Sequence, residues 1–151
     1  MEINTLKNNE LITGISILAV LRFAKHMQLS KCMLVEPLLS YSKVLSALGR
    51  SNSSIKSIED LIIKECITFS NFNERYKEKM ALSINSILLF EQLNLLKMHD
   101  EEIYFAGERF DFNNASLGNT AKSRIAASER LNSILTKGVT SDLYLSLRVE
   151  L

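Results

Sequence analysis

The side chains that could bind a metal or act as nucleophiles are few: His26, Cys32, Cys66 and His99. Two imidazoles and two thiols are donors that zinc accepts. Structural zinc sites, however, bring their ligands in close pairs such as CxxC or HxxxH, because one turn must offer both to the ion. Here five residues separate His26 from Cys32, and the other two stand alone. The spacing predicts no metal site and two buried, reduced thiols in a reducing compartment. Asp100, Glu101 and Glu102 form a run of carboxylates. A general acid–base pair needs one carboxyl desolvated so that its pKa rises, and three acids in a row beside His99 read instead as a solvated turn. The chain has no GxSxG elbow, no HExxH and no glycine-rich phosphate loop. The expectation is a protein with no catalytic residue, no cofactor and no metal.

The remaining candidates for ligand contact are cations. The segment from Thr120 to Lys137 carries Lys122, Arg124, Arg130 and Lys137 against one acid, Glu129. Lys122, Arg124 and Arg130 are the residues expected nearest to DNA, although a solvated helix face explains the same pattern. The chain as a whole argues against binding nucleic acid alone. Its 18 basic and 17 acidic residues leave a net charge of +1, whereas neutralised phosphates supply most of the affinity of such proteins. DNA is expected to be met only through a complex.

Helices must position all of these residues. At 151 residues, with one proline and five glycines, the chain reads as one mainly α domain spanning 1–151. A first helix is expected after Asn8 and Asn9, which can cap it. Its apolar residues, from Leu11 to Phe23, fall on no single stripe, so it must be covered all round, by the domain or by a partner. Leu34, Leu38, Tyr41, Leu45 and Leu48 recur at steps of four and three, which predicts one continuous helix with Glu36 and Pro37 in its first turn and Gly49 at its end. A third helix is expected over 55–69, with Cys66 on its inner side. A fourth, over 74–94, is expected to sit at the centre of the fold, closing a helical core of about 10–96. Two short apolar runs around His99 to Glu102 predict a β-hairpin at about 95–106. A helix running straight into a hairpin makes the domain winged-helix-like. A polar connector and a helix over 120–137 follow.

The tail is ambiguous. Leu143, Leu145, Leu147, Val149 and Leu151 alternate with polar residues, which predicts a strand over 143–151 pairing with the hairpin. A short helix over 142–147 is the competing reading. The apolar run from Ile12 to Ala24 is too short to span a bilayer and the first ten residues do not resemble a signal peptide, so a cytoplasmic protein without a membrane partner is expected.

The order of these elements resembles the middle components of three-component ABC-type systems, which include the small accessory subunit of Lamassu-type antiphage defence. The matching stretches are Asn8-Asn9-Glu10 with Ile15, Ile17, Leu18 and Leu21, then Leu34-Val35-Glu36-Pro37-Leu38-Leu39, Asn73-Glu74-Arg75, and Asp142-Leu143-Tyr144-Leu145-Ser146-Leu147-Arg148-Val149. The resemblance implies a non-catalytic adaptor linking an SMC/Rad50-like ATPase subunit to a nuclease-type effector. In that reading Ile12, Ile17, Leu21, Leu145 and Leu147 are the expected partner-interface residues. The alternative is a winged-helix DNA-binding transcriptional regulator, and a small enzyme with an unrecognised site is a third, weaker reading.

Overall fold

The computed structural model describes residues 2–151, with side chains from Asn9 onward. In chain order the elements are α1 (Glu2–Ala24), β1 (His26–Gln28), α2 (Leu29–Cys32), α3 (Val35–Leu39), α4 (Ser42–Gly49), α5 (Ile58–Lys64), α6 (Phe72–Gln92), β2 (Leu96–His99), β3 (Glu102–Phe105), α7 (Asn119–Lys137) and α8 (Thr140–Ser146). This is a mainly helical domain with one small three-stranded antiparallel sheet. None of its helices is long and apolar enough to cross a membrane, among the described residues.

The central helix is α1 rather than α6. Every residue from Thr13 to Leu21 is buried, which is how a helix apolar on all sides must be satisfied. It starts well before Asn8 and Asn9, which lie inside it instead of capping it. Helices α6 and α7 pack along it, with α3 closing another side. At the crossing with α6, a Cβ on Gly14 would stand 2.1–2.5 Å from ring carbons of Phe90, itself fully buried. Only glycine allows that approach. Helix α6 buries Phe72, Tyr76, Ser83, Ser86, Ile87 and Phe90, while Ile84 and Leu88 face outward. Apolar content alone does not separate a central helix from one with a second, uncovered apolar face.

The helix expected over Leu34 to Leu48 is two pieces, α3 and α4. The chain is extended at Tyr41 (φ −83°, ψ 123°), whose hydroxyl donates to Asn71 Oδ1 at 2.8 Å and whose ring lies beside Phe69 and Phe72. That anchorage to the start of α6 outweighs helical continuity. Leu34, Leu38, Tyr41 and Leu48 are nevertheless buried as their spacing required. Helix α5 is also shorter than expected. The Ser57 hydroxyl caps it, accepting from the Asp60 amide at 3.1 Å, and it ends at Lys64. Cys66 therefore lies past its end and is exposed, not inward.

The hairpin is present, with a two-residue turn at Asp100 and Glu101, both at positive φ (50° and 64°), as the twist of a tight hairpin demands. Sequence reasoning missed its third strand. Strand β1 pairs with β3 in the order β1-β3-β2, aligning Met27 and Met98 with Ile103. Met27, Leu96 and Ile103 turn the sheet's inner face to the core.

The tail forms no strand. Leu143 and Leu147 are four apart as well as even-numbered steps apart, and α8 with the residue that caps its end buries both while leaving Leu145 exposed. Beyond α8 the Val149 amide donates to the Tyr144 carbonyl and the Arg148 amide to the Leu145 carbonyl, with Arg148 at φ 58°. This pair of bonds closes a helix end. Strand β3, meanwhile, already has a neighbour on each side.

The Gly14–Phe90 crossing generates a first prediction. Gly14→Ala should lose about 1–3 kcal/mol of stability through overpacking, whereas Gly49→Ala, with open space around its Cβ, should be neutral or slightly stabilising. Denaturant unfolding of the two variants measures the contrast, and equal midpoints would refute it.

Candidate interaction site

The four soft donors do not converge. His26 is on β1 with Nδ1 3.1 Å from Glu102 of the neighbouring strand. His99 closes β2 with Nε2 3.1 Å from Asp100, both widely exposed. Cys32 is buried at the end of α2 and Cys66 is exposed. Among the described residues no group of three or more His, Cys, Asp or Glu side chains is placed to hold a metal ion. Burial, and secondarily the Glu102 charge, push the Cys32 thiol up to about 12, so it stays protonated.

Charge inside the core is concentrated in one arrangement. Arg124 on α7 and Glu36 on α3 are both buried and form a two-point ion pair, with Arg124 Nη2 donating to Glu36 Oε1 at 3.2 Å. Arg124 Nη1 also reaches Ser16 Oγ on α1, at 3.3 Å. Three helices meet at this group. Sequence reasoning placed Arg124 on a solvated, DNA-proximal face, which the structure overturns. The available signal was Glu36, a lone charge within the apolar run from Leu34 to Leu39, since a buried carboxylate requires a cation. A second polar chain ties the tail to the core. The Tyr144 hydroxyl donates to the Ser30 carbonyl at 2.6 Å and accepts from Tyr76 at 3.0 Å. Burial, followed by that partner, raises the Tyr144 phenol well above its usual value.

The other expected DNA-proximal residues separate. Lys122 is exposed. Arg130 Nη1 donates to the carbonyls of Leu48 and Arg50 at 2.8 and 2.6 Å, holding the end of α4. No common face of Lys122, Arg124 and Arg130 exists. Of the expected partner-interface residues, Ile17 and Leu21 are fully buried and Leu147 nearly so, Ile12 is half-buried, and only Leu145 is open, at 75%. The first helix is covered from inside the domain, leaving no face for a partner between Thr13 and Leu21. Other aliphatics are open that sequence reasoning did not single out, among them Ile63 at 77%, Ile67 at 86% and Val139 at 62%. They lie on or beside α5 and α8, which pack together.

Compared with protein-family models, with curated proteins and with solved structures, the chain matches none.

Two predictions follow from this geometry. Arg124→Met leaves Glu36 buried without its cation and should cost about 3–5 kcal/mol, while the double variant with Glu36→Leu should recover much of the loss. Additive losses in thermal or denaturant unfolding would show that the ion pair is not the source. A thiol reagent at neutral pH should modify Cys66 of the native protein rapidly and Cys32 only after unfolding. Two fast equivalents per chain would contradict the burial of Cys32.

Proposed function

We propose that this chain is a non-catalytic adaptor subunit of a larger cytoplasmic assembly, concretely a bacterial antiphage defence complex in which it links an SMC/Rad50-like ATPase to a nuclease-type effector. The observation that carries the adaptor reading is the wide exposure of Ile63, Ile67, Val139 and Leu145 around α5 and α8. Full burial of one such side chain contributes about 1.5–3 kcal/mol, so this region gains substantially from a partner surface. The identity of the assembly is supported by the resemblance of pattern along the chain. In that setting DNA is engaged through the complex, and no cofactor or membrane takes part.

One observation favours a winged-helix regulator as the second reading: α6 leads directly into the hairpin, and β1 completes the sheet beside β3. Against it, the outward face of α6 carries Ile84 and Leu88, and the hairpin turn is acidic where a wing touching phosphates would be basic.

Ile67→Asp and Leu145→Asp, both at exposed positions, should leave the melting temperature of the isolated chain unchanged and abolish its co-purification with the ATPase and effector expressed from neighbouring genes. Retention of both variants in such a complex, or failure of the wild type to join one, would defeat the adaptor reading. Nanomolar, sequence-selective DNA binding by the lone chain would replace it with the regulator.

A further inference from the structure

The chain is nearly neutral overall, yet its cations are not evenly spread. Between the α4–α5 loop and the outer side of α7 lies a cleft of about 800 Å³. Arg50 and Lys56 line one wall and Arg130 and Lys137 the other, with Glu129 the single carboxylate among its lining residues. None of the four cations takes part in an ion pair among the described residues. The bonds from Arg130 to two carbonyls fix its position without neutralising its charge. Ser51, Ser53 and Ser133 add hydroxyls to its lining.

We propose that this cleft binds the phosphodiester backbone of duplex DNA without reading its sequence. Four cations on two walls suit a polyanion better than a single phosphate. Arg130 and Lys137 are seven residues apart on one helix, about 10 Å along its axis. Arg50 and Lys56 face them from the other wall, so the positive charge is spread along the cleft as the charge of a polyphosphate backbone is spread along its strand. The lining contains no aromatic side chain, so it offers no platform for stacked single-stranded bases. Serine hydroxyls and cations are groups that contact phosphate and carry no sequence information. The inference deepens the adaptor reading by naming where the subunit would touch DNA held by its ATPase. Its test uses the lone chain, so the two can fail separately.

The experiment is fluorescence anisotropy of a labelled random-sequence duplex with the isolated protein, over about 50 to about 200 mM salt. Weak, sequence-independent binding is expected, with log K falling against log salt at a slope between about −2 and −4. The double variant Lys56→Gln/Lys137→Gln should weaken binding about tenfold or more at low salt and reduce the slope by about 2. Lys122→Gln and Lys43→Gln, outside the cleft, should leave both unchanged. No binding at the lowest salt, or equal losses from the outside variants, would overturn the proposal. Displacement of the duplex by polyglutamate at matched charge concentration would overturn it too, and would reassign the cleft to an acidic protein segment.

Discussion

Helix α1 has no solvent-facing side between Thr13 and Leu21, and the rest of the fold is arranged to cover it. A helix about 10 Å across needs neighbours on every flank before its backbone and side chains are out of water. The chain provides α6, α7 and α3. Because those neighbours must come close, the helix carries Gly14 against Phe90. Because it cannot shed its polar side chains to water, Ser16 is satisfied internally, donating to the Ile12 carbonyl at 2.7 Å and accepting from Arg124.

The buried ion pair has its place in this arrangement. A charge removed from water costs several kcal/mol unless it is paired and hydrogen-bonded. Glu36 and Arg124 therefore admit few alternative placements of α3 relative to α7, whereas apolar contacts alone tolerate sliding. The two residues are 88 positions apart, so the pair also ties the front of the chain to its last third. It draws one cation out of the surface of α7 and leaves the others to be displayed.

Helix α7 thus has two environments. Its inner side, with Ala121, Arg124, Ala127, Ser128, Leu131, Ile134 and Leu135, belongs to the core. Its outer side supplies Arg130 and Lys137 to the basic cleft, which needs Arg50 and Lys56 from a separate loop to close. The exposed Val139 of the α5–α8 region adjoins the cleft, since it shares a pocket with Lys137.

Several features were legible in the sequence because they are local. The bounds of α7 follow from its periodicity and Gly138, the hairpin from two apolar runs about a polar turn, and the buried positions Leu34, Leu38 and Leu48 from their spacing. The all-round cover of the first helix was likewise implied by its composition and holds from Thr13 to Leu21, while Leu11 and Phe23 at the ends of that apolar run are exposed. The remainder depended on long-range partners that no window of sequence contains. Two helices were rich enough in apolar residues to be central, and packing chose α1. The anchorage of Tyr41 on Asn71 broke a helix that periodicity would have continued. Strand β1 exists only because β3 lies beside it, since three residues cannot hold a strand conformation alone. The tail satisfies both a period of two and a spacing of four, and its contacts with the core decided for the helix. The roles of Arg124 and Arg130 were decided in the same way, because charge pattern along a chain does not specify which opposite charge or carbonyl the folded chain will bring to it.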